Sequence, residues 1–444
     1  MENVFMILIK IVSVCLIVAS AYMLMQNIYA SIISLWGYRE VKRDYDIIED
    51  KTRFLILVAA HNEEDVIADT VSNLRKIDYD ENLYDIYVVN DNSTDRTGDI
   101  CKEIGILHVD TIEGKFPREG VGKPAGLQYA LRELGFEKLQ EKYDLLMILD
   151  ADNYVDSNIL KDLNSQWQQK GKPEAIQTYL DSKNTTSILA TGYACAYWVT
   201  NRFFQLAKYR LGLPNSIGGT GFAVRMDWLF KHGGFSYKSL TEDLEMEIEI
   251  VKSGGRILWN HHARIYDEKP DGLKISIRQR TRWAQGHWYV AFTNFKSLLK
   301  CFIKERKFKY IDQLLYLFGM GKGVQLILAG ISILILTIYY IASRAGVNLI
   351  VNTFLGTFAD YFILLFIPTT IFNVVFLFYT LFVTLAFAII KDGREKNIFK
   401  AMLAIMYVGT TYMYTQAVGL FKWRQQGVWV KTPHKHTKKG TVSQ

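Results

Sequence analysis

Three acidic sites and one Arg-Trp pair, in a fixed order, are the residues of this chain best suited to chemistry. They are Asp91-Asn92-Ser93-Thr94-Asp95, Asp150-Ala151-Asp152, Thr241-Glu242-Asp243 and Gln279-Arg280-Thr281-Arg282-Trp283. Carboxylates at i and i+2, as in Asp150 and Asp152, converge on one hard cation. Mg²⁺ or Mn²⁺ held there bridges diphosphate oxygens and neutralises charge as a bond breaks. Asp243 suits a general base that takes the proton of an attacking hydroxyl, worth roughly 10²–10⁴-fold in rate, with Glu242 orienting it. Arg282 has the bidentate fork that grips a departing diphosphate. Trp283 offers a flat face on which a sugar ring can rest. Together they form a set for moving a sugar off a nucleotide diphosphate.

Each site also has a plainer reading. Asp150-Ala151-Asp152 is equally a polar turn. Thr241 suits a helix N-cap with Glu242 and Asp243 in the first turn, where acids are favoured anyway. Asp91 is expected to hydrogen-bond a uracil or ribose, to cap a helix, or both. Lys123 is a partner for phosphate or for the carboxylates, or else a solvated charge. Gly218-Gly219-Thr220-Gly221-Phe222 lacks the ending of a P-loop; close approach of its backbone to an acceptor chain is expected, with Gly221 and Phe222 at the contact. His261-His262 and the pair His434/His436 read as surface or satisfied histidines.

The elements that must position these groups are strands and helices in alternation. Residues 54–59, 85–90 and 145–149 are short apolar runs of the buried-strand kind, and a helical pattern to about Lys76 follows the first. Alternation of this kind predicts a mostly parallel sheet covered on both faces. Ligands in such sheets sit at the carboxyl ends of the strands, where the acidic clusters fall.

Outside this core the chain is apolar. Of 444 residues, half are hydrophobic and the net charge is +7. No basic helix with interleaved aromatics stands out in the soluble part, so nucleic acid is not an expected partner. The cysteines Cys15, Cys101, Cys195 and Cys301 are scattered and suggest neither a disulfide framework nor a zinc site. Residues 4–36 exceed the roughly 20 apolar residues that span a bilayer, and the basic residues after them favour a cytoplasmic domain next. Apolar stretches at 319–342, 347–390 and 398–421 lead to a basic tail. An even number of crossings is required for that tail to be cytoplasmic, so about four are expected. That count needs a turn at Pro368-Thr369-Thr370 and leaves Lys391, Arg394 and Lys396 facing outward. Residues 273–299 mix arginines with aromatic anchors, as a helix in the membrane interface does. The expected divisions are 1–37 (membrane helix), 38–272 (cytoplasmic catalytic domain), 273–318 (interface helices), 319–421 (membrane helices) and 422–444 (basic cytoplasmic tail).

The four motifs in this order resemble the processive, membrane-embedded family-2 glycosyltransferases, which include cellulose, hyaluronan, poly-N-acetylglucosamine and related β-glucan synthases. The resemblance covers about residues 54–288. It implies an α/β GT-A-type, Rossmann-like domain joined to transmembrane helices, and inversion at the anomeric carbon. It implies a UDP-sugar donor, with Asp150 and Asp152 near a metal–diphosphate, Asp91 near uridine and Asp243 as base. Gln279, Arg282 and Trp283 would cradle the diphosphate and the acceptor end of a growing polysaccharide, which the plasma-membrane protein passes through the lipid bilayer. Thr241-Glu242-Asp243-Leu244-Glu245 with the Arg-Trp motif looks glucan-synthase-like, which favours UDP-glucose and a β-glucan. UDP-N-acetylglucosamine is the close rival, and a single transfer to a lipid carrier is a further alternative. Unlike the bacterial cellulose synthases, the chain is expected to carry no cyclic-dinucleotide receptor domain after its membrane helices.

Overall fold

The computed structural model describes residues 2–319, 322–344, 357–393, 395 and 397–427. The tail residues Lys431, His434, Lys435, His436, Lys438 and Lys439, and Arg394 and Lys396, lie outside the described residues.

Eight strands form one sheet in the order β3-β2-β1-β4-β7-β6-β8-β5. They are β1 (Phe54–Ala60), β2 (Tyr84–Asn90), β3 (Leu107–Asp110), β4 (Leu145–Asp150), β5 (Tyr154–Val155), β6 (Ala175–Ser182), β7 (Phe222–Arg225) and β8 (Ile257–Asp267). The three expected strands are present as β1, β2 and β4. Their continuous apolar runs follow from burial on both faces: Leu55 and Leu57 enter one core, and Phe54, Ile56 and Val58 the other.

The sheet is mixed but mostly parallel, as expected: six of the eight strands run one way, and β7 and β5 run against them. β1 pairs parallel with β2 and β4, and β6 with β8, but β7 runs antiparallel between β4 and β6. This reversal has a consequence for the site. The amino end of β7, and with it the Gly218–Gly221 segment, lies beside the carboxyl end of β4. Gly219 and Gly221 hold the positive φ angles (+77° and +62°) that turn the chain there.

The helix Leu273–Glu305 carries the Arg-Trp motif, and Phe308–Leu317 packs on it. Among the described residues, two helical stretches are long and apolar enough to cross a membrane, Val14–Gly37 and Leu365–Lys391, and Val324–Ile338 is a shorter apolar one. The N-terminal helix Glu2–Ser34 packs on Thr357–Phe378 through polar groups of the kind that hold membrane helices together. Asn373 Nδ2 donates to Ser20 O (2.9 Å), and Ser20 Oγ donates to Thr369 Oγ1 (3.2 Å).

Two sequence expectations are corrected here. Pro368 makes no turn: it lies inside Thr357–Phe378, and helix continues through Tyr379–Val383 to Lys391. Neighbouring helices and hydroxyls satisfy the backbone around such a proline; the Thr369 hydroxyl donates to Leu365 O at 2.8 Å. Lys391 also does not face away from the catalytic domain. Its neighbour Asp392 is buried in an ion pair with Arg202, whose guanidinium also donates to Gly37 O. Leu385, Ala388, Ile389 and Ala401 share a core with Tyr179, Trp198 and Trp259 of the catalytic domain.

The last described helix, Ile398–Phe421, runs along the catalytic domain, packing on Ile188–Thr200 and on the motif helix. Beyond its end, Gln426 Nε2 donates to Gln285 O (3.2 Å), and Leu240 N donates to Gln426 Oε1 (2.7 Å). Its outward face shows Phe399, Leu403, Tyr414 and Phe421.

Candidate active site

A cavity of about 460 Å³ opens at the carboxyl ends of β1, β2 and β4. It brings together Asp91, Lys123, Asp150, Asp152, Glu242, Asp243, Gln279, Arg282 and Trp283, which the sequence scatters over nearly 200 positions. Gly221 and Phe222 do not line it, a correction to the expectation for the glycine-rich segment. Gly221 N donates to Ile148 O at 2.8 Å, and Phe222 is a buried strand residue paired with Ile148 and Gln177. The neighbours Gly218, Gly219 and Thr220 face the cavity instead.

Asp150 ends β4. Its carboxylate accepts from Lys123 Nζ at 2.7 Å, and the same ammonium donates to Gly219 O. Asp152 is buried and braced on both oxygens, accepting from Asn153 Nδ2 and from Glu268 N, each at 3.0 Å. These are hard oxygen donors at a point that already draws a cation, and they suit a divalent ion sharing diphosphate oxygens. Such an ion takes one or two carboxylates plus substrate phosphates. Among the described residues no group of three or more His, Cys, Asp or Glu forms a closed metal cage.

Asp91, at the end of β2, is held bidentately by Arg118, with Nη1–Oδ1 at 2.8 Å and Nη2–Oδ2 at 2.7 Å. A Cβ on Gly126 would sit 3.0 Å from Asp91 Cβ, so the helix Lys123–Glu133 passes it closely only through that glycine. The helix-capping half of the Asp91–Asp95 reading falls to Asp95, which accepts from Thr97 N at 3.0 Å.

Asp243 lies in the first turn of Glu242–Lys252. Burial pushes its carboxyl up to about 7, with the adjacent Glu242 carboxylate pushing the same way and Lys123 and Arg282 pulling it down. Thr241 occupies the N-cap position, but its hydroxyl makes no cap bond. It packs instead on Gly286 of the motif helix, where an added Cβ would lie 2.7 Å from Thr241 N. Gly286→Ala is therefore expected to push the motif helix off the Thr241–Asp243 turn. A displacement of that order costs about 10²-fold in turnover. Turnover assays of Gly286→Ala and of the bulkier Gly286→Ser, expected to be impaired at least as much, check this; full activity in either variant removes the contact from the mechanism.

Sequence reasoning missed several groups. Lys269 is buried, ion-paired with Asp267 at 2.6 Å and set 3.4 Å from the Tyr197 ring centroid, and all three line the cavity. Asp267 and Lys269 stand at the end of β8, and Tyr197 on the helix Ile188–Thr200, where no sequence signal marked it. His287 also lines it, one turn beyond Trp283, with Nε2 2.7 Å from Leu317 O. His261 is a core histidine: its Nδ1 accepts from Trp259 Nε1 at 3.1 Å, its Nε2 lies 3.8 Å from Asp392, and burial lowers it to about 4.

Comparisons with known proteins agree with this geometry. Residues 52–286 match the model of the "Glycosyltransferase like family 2" family. The chain is 29% identical over 291 residues to the probable glycosyltransferase YdaM of Bacillus subtilis, covering 63% of this chain and 65% of that protein. It is 26% identical over 290 residues to a poly-beta-1,6-N-acetyl-D-glucosamine synthase of Staphylococcus aureus, covering 63% of this chain and 67% of that one. The match thus spans slightly less than two thirds of the first relative's length. The mannosyltransferase PcManGT of Pyrobaculum calidifontis, solved with GDP-Man and Mn²⁺, shares the fold with a TM-score of 0.52 and 16% identity, over 82% of this chain and 97% of that one. The fold is of the GT-A type, as the four motifs imply.

Proposed function

This chain belongs to glycosyltransferase family 2, and on that premise we propose that it polymerises a β-linked polysaccharide from a UDP-sugar, with inversion, and passes the product across the membrane. The observation that carries this reading is one cavity holding a DxD pair, a buried carboxylate of raised pKa and an Arg-Trp platform.

In this reading Asp150 and Asp152 would hold Mg²⁺ or Mn²⁺, whose charge would offset that building on the diphosphate. Mn²⁺ in the complex of the fold relative supports a divalent ion. Lys123, beside Asp150, binds the diphosphate together with Arg282 and Gln279. Asp91 lies on the uridine side. Trp283 seats the acceptor sugar, and Asp243 removes its hydroxyl proton. The freed oxygen attacks the anomeric carbon opposite the diphosphate; a C–O bond forms there as the bond to the diphosphate breaks. Glu242 orients the base and keeps its pKa high.

UDP-glucose and a β-glucan are the first reading of the donor. UDP-N-acetylglucosamine is the second, favoured by the likeness to the poly-beta-1,6-N-acetyl-D-glucosamine synthase. Membranes carrying the protein, given Mg²⁺ or Mn²⁺ and each radiolabelled UDP-sugar in turn, decide between them. Label from one donor in a polymer digested by a linkage-specific glycanase names sugar and bond together. Label confined to lipid replaces the polymerase reading by single transfer to a carrier.

For the membrane we propose three crossings: Val14–Gly37, the helix holding Val324–Ile338, and Leu365–Lys391. Ile398–Phe421 then lies in the interface on the cytoplasmic side. The ion pair of Asp392 with Arg202 supports this. It also puts Lys391, Lys422 and Arg424 on the cytoplasmic face, in line with the positive-inside rule. Lys391→Cys is expected to resist a membrane-impermeant maleimide in intact cells and to label after permeabilisation. Labelling of intact cells would overturn this arrangement.

A further inference from the structure

We infer that Tyr412 and Gln416, on the helix Ile398–Phe421, form a sugar-binding subsite that completes the acceptor end of the cavity. The inference rests on the glycosyl-transfer reading above and names residues far outside the family-matched segment 52–286.

Both side chains line the same cavity as Asp243 and Trp283. They stand one helical turn apart, so they share a face. The cavity lining combines charged and neutral groups. Asp150, Asp152 and Lys123 supply the charge that a metal–diphosphate requires. Tyr412 and Gln416 are neutral. An aromatic face beside an amide suits an uncharged pyranose, whose C–H face packs on the ring while its hydroxyls bond the amide.

The helix is locked in place by the motif itself. Arg280 is buried, and its guanidinium donates to Val408 O at 2.9 Å and to Thr411 Oγ1 at 2.8 Å. Ala404 lies against Gly192, and Gly419 against Ala284, so closely that a Cβ on either glycine has no room. Trp283 packs with Leu189, Tyr193 and Val408 on the same side. Arg280 is therefore a positioning residue: it touches no substrate in this arrangement, but sets where Tyr412 stands relative to Trp283.

The test uses the full-length protein in membranes with radiolabelled UDP-glucose or UDP-N-acetylglucosamine and Mn²⁺. Two readouts are taken from each sample: UDP released by donor hydrolysis to water, and label in high-molecular-weight product. Tyr412→Ala and Gln416→Ala are expected to cut elongation about ten-fold or more and to shorten the product, because only acceptor binding is lost. Donor hydrolysis and UDP affinity should stay within about two-fold of the parent. Tyr412→Phe keeps the ring and should retain most elongation. Arg280→Lys, with one donor group instead of a fork, should reproduce the elongation defect. Parallel loss of hydrolysis and elongation in both alanine variants would reduce the helix to a structural part and overturn the subsite. Unchanged elongation in both would do the same. Absence of UDP release from every donor by the parent protein is a different failure, one that removes the glycosyl-transfer reading itself.

Discussion

Asp243→Asn abolishes polymer synthesis and leaves UDP binding nearly intact: this is the largest effect expected of any single substitution. The amide accepts no proton, so the acceptor hydroxyl must attack unaided, at a cost of about 10²–10⁴-fold in turnover. The isosteric change leaves the first turn of Glu242–Lys252 and its contact with Gly219 in place. The same carboxylate fixes a pH dependence. Burial and Glu242 raise its pKa to about 7, and a base works only when deprotonated. The parent's kcat/KM should therefore fall as pH drops through about 7, by up to about ten-fold per unit, and level off above it. The check is a pair of pH–rate profiles with UDP binding measured alongside. Residual synthesis above a few per cent in the variant, or a parent profile flat from pH 8 to 5.5, removes Asp243 from the role of base.

Asp312→Ala should be the most destabilising change away from the cavity. Lys208 and Asp312 form an ion pair of 2.8 Å with both side chains fully buried. The pair joins three parts of the molecule. The Tyr29 hydroxyl, from the N-terminal helix, donates to Asp312. Lys208 also stands near Glu247, on the helix that carries Asp243. Burial pushes Glu247 up to about 8 while Lys208 pulls it down, and Ile217 N donates to its carboxylate at 3.0 Å. Removing Asp312 leaves an ammonium buried without its main counter-charge, which typically costs about 3–5 kcal/mol. Lys208→Met combined with Asp312→Leu removes both charges and should recover most of the loss, since a buried pair is often no better than apolar residues of similar volume. Thermal inactivation half-lives in detergent are the appropriate measure, because large proteins unfold irreversibly. A half-life unchanged in Asp312→Ala, or a double variant as weak as the single one, would show that the pair carries no such energy.

The catalytic set was legible because its members are short-range patterns at the ends of strong strand signals. Asp150 and Asp152 follow an uninterrupted apolar run, and a strand buried on both faces has to end where its polar residues begin. The helix after Thr241 was legible for a similar reason, through its acidic first turn and the apolar spacing of Leu244, Met246, Ile248 and Ile250. Gly286 and Gly126 gave no signal. A glycine inside a helical pattern reads as a weak helix former, and only the backbone passing against it reveals why a side chain is excluded.

The sequence alone therefore gathered the groups suited to the proposed chemistry: two carboxylates for a metal–diphosphate, an acid for proton removal, an arginine and a tryptophan for what leaves and what attacks. It also determined that apolar helices flank that chemistry, since hydropathy is a property of composition. Tertiary structure alone decided three other matters. β7 runs antiparallel, which brings Gly218–Thr220 rather than Gly221 and Phe222 to the cavity; strand direction depends on which neighbour a strand meets. Pro368 continues a helix that the sequence would end, because adjoining helices and the Thr369 hydroxyl support the backbone there. Tyr412 and Gln416 join the cavity that holds Asp243, some 170 residues earlier, because Arg280 clamps the helix that bears them. Contacts of that separation leave no periodic trace in the chain; they exist only once the faces that bury one another have met.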